Sequence, residues 1–524
     1  MHNTTRTFLA SCSLAILAGP LHAEIQLPSI IGDHMVLQQK HANPIWGWDH
    51  PGTPVTVTFG TQSKSAKADS DGRWSVKLDP LPANPQPQTL QISTPSQKLE
   101  VQDVLIGEVW MCSGQSNMEW PLSSDWNGDL EAKVSHYPNI RLITVPKMGT
   151  QETQKNFKGN WVSATPETTP DFSAVGYLFG RYVHQATGVP VGLIDNAWGA
   201  SAAEAWVRRA TLEKDPRFAT LMQSTRDKET HAQSEKARAD YEAARERYKA
   251  DAAKAKSEGK PVPRPPQDPA SWLASQFRPG NIFEGMLQPT LGYGLKGVVW
   301  YQGESNASRA AEYRDLFPTM IQEWRKEWQQ PELSFYWVQL ADFRKEEANP
   351  GESDWAELRE AQTKTLSLPN TGQAVIIDLG EGKDIHPKNK HDVAARLARW
   401  ALAKDYGIAI PYRSPEFKSM EIQDGKITLT MDCFGSKLRA FDVDEARGFA
   451  VCGEDRVWQW AKGKVMGTDK VELTCAEVPK PVAVRYAWAN NPVCNITSLE
   501  GLPLTPFRTD DFELTTKPKV PAAK

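Results

Sequence analysis

This sequence carries no large surplus of either charge, no metal-ligand motif and, after its first residues, no apolar run long enough to cross a membrane. The formal net charge is −4 and the sequence pI about 6.3, without the basic excess that marks a nucleic-acid partner. Neither H-E-x-x-H nor C-x-x-C occurs, so no metal and no cofactor is expected. A membrane span would need about 20 consecutive apolar residues. Cysteine is also sparse, six in all. Cys112 closes an apolar run and reads as a small core residue, with a catalytic thiol as the sharper alternative. Cys433, Cys452, Cys475 and Cys494 crowd toward the C-terminus, where one or two disulfides are expected in an exported protein; sequence does not give their pairing.

What is present begins with a secretory signal over residues 1–23. Arg6 supplies its positive start, Phe8–Leu17 its apolar stretch and Leu21-His22-Ala23 its cleavage site, with the cut after Ala23. The protein is therefore expected to be secreted or periplasmic and free of the membrane once processed. Its 524 residues exceed one ordinary core, so several domains follow. Residues 24–100 show short alternating runs (Pro54–Phe59, Trp74–Leu78, Thr89–Ile92) between turn signals such as Pro51-Gly52 and Asp71-Gly72, the pattern of a small β-sandwich. From 101 to 405 the pattern becomes strand, turn, helix. Val104–Met111, Pro190–Asn196, Leu333–Leu340 and Ala374–Leu379 read as buried strands. Phe172–Gly188, Ala310–Trp328, Asp354–Leu366 and Asp392–Ala403 read as helices, with another starting near Ala202. That alternation implies a parallel sheet covered on both faces. Residues 207–277 interrupt it with a charged insertion, helical over Arg226–Lys256, stopped by the proline-rich Lys260–Pro269 and expected to be peripheral to any chemistry. Alternating runs return over 406–515 (Ile427–Met431, Phe449–Cys452, Val482–Ala487), a second β-domain, and 516–524 reads as a disordered tail. Most of the nineteen tryptophans are expected in the core.

Three polar turns follow apolar runs. Gly107–Trp120 reads G-E-V-W-M-C-S-G-Q-S-N-M-E-W and places Ser116 just past a strand. Val298–Asn306 reads V-V-W-Y-Q-G-E-S-N, and Asp384-Ile385-His386-Pro387 follows the run at Ala374. Parallel strands would bring these exits to one edge. Ser116 as nucleophile, His386 as base and Asp384 as its orienting acid then make an acyl-transfer set. Asp384 precedes His386 by two residues. In an extended segment, favoured before Pro387, such residues share one side. Asp378 or a backbone carbonyl are the alternative orienters. For the oxyanion, the Ser116 N–H and the Gly199 N–H are candidates, with a side-chain amide from Gln302 or Asn306. Asn306-Ala307-Ser308 is also a glycosylation sequon by pattern.

These stretches, with D-N-A-W-G-A-S-A-A-E-A-W from Asp195, D-I-H-P-K-N-K-H-D-V-A-A-R-L-A from Asp384, V-R-Y-A-W-A-N-N-P-V-C-N near the C-terminus and G-D-H-M-V-L-Q from Gly32, resemble the sialate O-acetylesterase branch of the SGNH (GDSL-type) hydrolases. The resemblance implies a flavodoxin-like three-layer α/β/α core with a parallel sheet, flanked by β-sandwich-like domains. It implies a serine carbohydrate esterase that takes O-acetyl groups from sugars through an acetyl-serine intermediate. O-acetylated sialic acid is the family's named substrate, and acetylated plant polysaccharides such as xylan or xyloglucan are the alternative. Gln115, Asn117, Trp198 and Glu304, beside the three turns, read as substrate-binding. Arg359 could meet a substrate carboxylate, a helix-surface salt bridge being its ordinary use. Where the SGNH pattern G-x-N-D has its donor asparagine, this chain has Ser305. A non-catalytic carbohydrate-binding protein on the same scaffold is the competing class.

Overall fold

The computed structural model describes residues 24–518; the expected signal at 1–23 and residues 519–524 lie outside them. Its central strands are β1 (Lys98–Gly114), β2 (Tyr137–Thr144), β3 (Val191–Ala197), β4 (Gly297–Tyr301), β5 (Ser334–Val338) and β6 (Thr371–Ala374), in the spatial order β6-β5-β4-β1-β3-β2. Every pair in that row is parallel. In β4 all of Gly-Val-Val-Trp-Tyr is buried, because a strand covered on both faces has no wet side to alternate toward. Its side chains alternate between layers instead. Val298 and Trp300 join the core containing Leu316, Phe317 and Trp324 of the helix Ala310–Glu327. Val299 and Tyr301 join the core of the helices Ala174–Thr187 and Lys390–Lys404. The result is an α/β fold with helices on both faces of a parallel sheet and separate β-sheets beyond it.

Local chemistry sets the helix ends. The Ser173 hydroxyl accepts the Gly176 N–H at 3.0 Å and starts the helix Ala174–Thr187, and Gly188, at φ +71°, ends it.

Several expectations are corrected. The run Ala374–Leu379 is a strand only through Ala374. Val375 and Ile377 then leave the sheet to enter the core of the C-terminal β-sheets, while Ile376 stays with the central helices. The run is apolar because it bridges two cores. No regular α-helix begins at Ala202. A 3-10 turn covers Ala203–Trp206 and a short helix follows at Arg209–Lys214. The segment is tied down by tertiary contact, the Ala203 N–H donating to Asn306 Oδ1 at 3.0 Å. The boundary expected at 100/101 falls within β1, which pairs antiparallel with Asn84–Ser93 through its first part and parallel with β3 and β4 through its last. All five described cysteines are free thiols. Cys433 Sγ faces Thr468 O and Cys475 Sγ faces Trp460 O, while Cys494 packs against Gly448 and Tyr486. Thr515 and Thr516 both donate hydroxyl hydrogen bonds to Glu357, so the chain is still anchored where a tail was expected to begin. Among the described residues no helix is long and apolar enough to cross a membrane.

Candidate active site

The register levels three strand ends: Gly114 stands opposite both Ala197 and Tyr301. At Gly114 the backbone takes φ +138°, and a Cβ there would lie 2.2 Å from the Tyr301 carbonyl oxygen. Only glycine fits so tight an exit. The Gln115 N–H then donates to Tyr301 O at 2.9 Å and the chain turns into the single-turn helix Ser116–Glu119. Ser116 is its first residue, so its N–H lies outside the helical ladder.

Beyond β6, the Asp384 N–H donates to Glu381 O at 3.0 Å. Asp384 Oδ1 in turn accepts the His386 backbone N–H at 3.0 Å and faces His386 Nδ1 at 3.2 Å. Carboxylate and imidazole thus meet through an Asx-type turn, not along the extended segment expected. On the other edge of the ring, His386 Nε2 lies 2.9 Å from Ser116 Oγ. The Trp120 ring stacks on the imidazole, with centroids 5.1 Å apart and planes at 21°. The His386 backbone and side-chain bonds hold the Asp384 carboxyl below its usual range. Asp378, the alternative orienter, is bound to Arg396 at 2.6 and 2.7 Å.

The remaining predicted residues divide sharply. Gly199 is adjacent to the nucleophile: a Cβ on it would lie 3.5 Å from Ser116 Cβ. Its N–H, however, donates to Glu119 Oε2 at 2.6 Å, and Glu119 also pairs with Lys147. Gln302 is buried and fully used, donating to Ser201 O and Asn306 Oδ1 and accepting from Tyr313 Oη. Asn306 donates to Glu204 and accepts from Ala203 and Gln302. Both Gln302 N–H groups are thus taken, and both amides hold the loops after β3 and β4 together. Asn306 is 1% exposed, which also removes the sequon. Gln115 is buried, its Oε1 accepting the Gly303 and Ser305 N–H groups at 3.4 Å each. Trp198 is half-buried beside Gly199, its N–H on Gly114 O. Asn117 is buried, and Glu304 presents no free carboxylate oxygen to solvent, since Oε1 accepts from Asn117 and Oε2 is shielded; burial raises its pKa.

Arg359 is not at the site at all. Fully buried, its guanidinium donates to the carbonyls of Leu340, Ala341, Ala489 and Asn490, and desolvation pulls it down to about 10. It joins the helix Asp354–Lys364 to the C-terminal segment, where a salt bridge on the helix surface was the ordinary expectation. Cys112 is buried against Gly176, and burial raises its thiol pKa, so it is no nucleophile.

Sequence reasoning missed Glu119, Trp120 and Lys390. The first two stand inside the nucleophile turn itself. Lys390 is fully buried, which nothing in a polar, lysine-rich stretch signals. The insertion also approaches the site at its far end. Gln276 accepts the Ala202 N–H at 3.2 Å and donates to Gly199 O at 3.3 Å, whereas the helix Glu235–Ser257 buries only Ala237.

With that geometry in view, residues 275–402 match the family model for the sialic acid-specific acetylesterase type of carbohydrate esterase. Sialate O-acetylesterase of Mus musculus is 30% identical over 507 residues, covering 88% of this chain and 89% of the relative. The Rattus norvegicus protein is 30% identical over 510 residues with the same coverage. A carbohydrate acetylesterase from Xanthomonas citri, solved by crystallography, is similar at 35% identity with a TM-score of 0.79, over 93% of this chain and 100% of that one. Coverage this complete takes in the flanking β-sheets as well as the segments that carry Ser116 and His386. The chain belongs to the sialate O-acetylesterase family of carbohydrate esterases.

Proposed function

We propose that Ser116, His386 and Asp384 perform the deacetylation of sugars, Ser116 carrying the acetyl group. The observation that carries this reading is the 2.9 Å approach of His386 Nε2 to Ser116 Oγ, with Nδ1 on Asp384. Nδ1 protonated toward Asp384 leaves Nε2 as the acceptor. Ser116 Oγ attacks the acetyl carbonyl while its proton passes to Nε2. The tetrahedral intermediate collapses as Nε2 returns that proton to the departing sugar oxygen, and a water repeats the cycle on the acetyl-serine. The Ser116 N–H is the first oxyanion donor. The Gly199 N–H serves as a second once it leaves Glu119.

For the sugar, O-acetylated sialic acid is our first reading, in keeping with the names of the curated relatives. A specific observation favours a neutral acetylated polysaccharide as the second. With Arg359 buried, two cations beside the site already face carboxylates, Lys147 on Glu119 and Lys388 on Glu381 and Asp384. The signal-like residues 1–23 support action outside the cytoplasm, where glycans are met. Turnover of p-nitrophenyl acetate, lost in Ser116→Ala, tests the mechanism. Initial rates on acetylated sialic acids against acetylated xylan and xyloglucan separate the substrates. Activity retained in Ser116→Ala refutes the assignment.

A further inference from the structure

Directly behind the Ser116–His386 pair sits a lysine that the steps above do not use. Lys390 begins the helix Lys390–Lys404 and is 0% exposed. Its ammonium donates to Asn117 Oδ1 at 2.7 Å and lies 5.5 Å and 5.3 Å from the ring centroids of Trp120 and Tyr301. Trp120 is the ring stacked on His386. Asn117, next in sequence to the nucleophile, is used at its other end too. Its Nδ2 donates to Glu304 Oε1 at 2.6 Å and to the Ile385 carbonyl at 3.1 Å. That carbonyl belongs to the peptide immediately preceding His386.

The amide is therefore polarised between a cation and an anion, oxygen toward Lys390 and nitrogen toward Glu304. In a site this dry such an arrangement has one favourable orientation, since low polarity strengthens each charge–dipole contact. A buried ammonium is otherwise costly, and the acids facing Lys390 compensate it: Glu304 from the turn after β4, Asp125 from the loop after the nucleophile helix, and Asp384 and Glu381 from the histidine loop. Asp125 also accepts the Lys390 backbone N–H at 2.8 Å and faces His391 Nε2 at 3.2 Å. Three loops far apart in sequence are thus joined through one amide.

We propose that Lys390 is a positioning residue of the esterase. Through Asn117, its charged form fixes the Ile385–His386 peptide relative to the Ser116 turn. This rests on the assignment of Ser116 and His386 above. When the ammonium loses its proton, its bond to Asn117 falls from a charge-assisted to a neutral hydrogen bond, the amide is held less firmly, and both the Ile385 carbonyl and the serine turn relax. A displacement of about 1 Å at such a pair can cost roughly 100-fold. Desolvation pulls Lys390 down to about 7, so the positioning charge is present below that pH and is lost as pH rises through it.

The test uses the full chain with p-nitrophenyl acetate, comparing wild type, Lys390→Met, Glu304→Gln, the double variant and Ser116→Ala across pH, each checked for fold by circular dichroism and melting. Lys390→Met is expected to lower kcat by about tenfold or more with KM within about twofold, and to abolish an alkaline fall in kcat shown by the wild type. The double variant is expected to recover part of that loss, because it removes the carboxylate left uncompensated. Folded Lys390→Met with wild-type kcat and pH profile overturns the proposal. Should Lys390→Met not fold, Glu304→Gln decides: removing an anion facing Lys390 moves the alkaline limb to lower pH, and an unmoved limb overturns the proposal. Ser116→Ala remaining active refutes the underlying assignment. Ser116→Ala inactive beside an unaffected Lys390→Met refutes this inference alone.

Discussion

Asp384→Asn probes the weakest link of the candidate triad. In the structure the carboxylate makes two contacts with His386, one to the backbone N–H at 3.0 Å and one to Nδ1 at 3.2 Å. Asparagine retains an oxygen for the backbone contact, so the Asx-type turn survives and what is lost is the charge behind the imidazole. Removing the buried aspartate of a serine-protease triad costs about 10⁴ in kcat. Here the side chain of Asp384 is 39% exposed, and water screens part of the interaction. A hydrogen bond to a charged group is worth about 1.5–3 kcal/mol, which converts to roughly 10–150-fold in kcat. We expect a loss in that range for p-nitrophenyl acetate, with KM and melting temperature nearly unchanged. Asp378→Asn is the control: it breaks the bidentate pair with Arg396, so it should lower the melting temperature and leave kcat close to wild type. The reasoning is refuted if Asp384→Asn keeps wild-type kcat while folded Asp378→Asn is inactive.

Other outcomes follow from the buried groups. Asp195, in β3, is pushed up to about 8 by desolvation, with Glu119 adding to it. The folded state then holds a proton that the unfolded chain releases near pH 4, so this group costs stability progressively as pH rises from about 4 to about 8, by roughly 5 kcal/mol at most; Asp195→Asn should melt higher than wild type at pH 8.5 and converge with it near pH 4, and a pH-independent difference would speak against it. Arg359→Lys should destabilise by about 3–5 kcal/mol, since the carbonyls it binds lose their planar partner, without changing the ratio of rates on acidic and neutral acetylated sugars; a selective loss on sialic acid esters would return Arg359 to substrate binding. Replacing residues 235–262 with a short Gly/Ser linker should leave turnover within a few-fold, because that helix buries only Ala237, whereas an orders-of-magnitude loss in a folded protein would make it part of the cleft. The five described thiols should all titrate with Ellman's reagent in denaturant without reductant, and a smaller number would reveal a disulfide.

Hydrophobic pattern alone located the helices Ala174–Thr187, Ala310–Glu327 and Lys390–Lys404 and most strands of the central sheet, since a strand or helix buried by its neighbours must be apolar in a readable period. The same logic placed Ser116 and His386 at strand exits, and the structure brings them within hydrogen-bonding distance. Pattern misled where an apolar run had two uses: Val375 and Ile377 are as buried as a strand would be, yet they serve the C-terminal core.

Polar residues were the harder case. Composition and spacing identify an amide or a guanidinium but not the group that takes its hydrogen bonds. Gln302, Asn306 and Arg359 carry the right chemistry for a site, and tertiary contacts consume all three in joining segments far apart in sequence. Lys390 is the converse, a residue that sequence would leave in water and that the fold places beneath the nucleophile. The sequence by itself determined the layers, the strand exits and the two residues that meet there, because burial and turn geometry are encoded locally. Only the tertiary structure decided which polar side chains remain free to react, because a hydrogen bond between distant loops has no local signature.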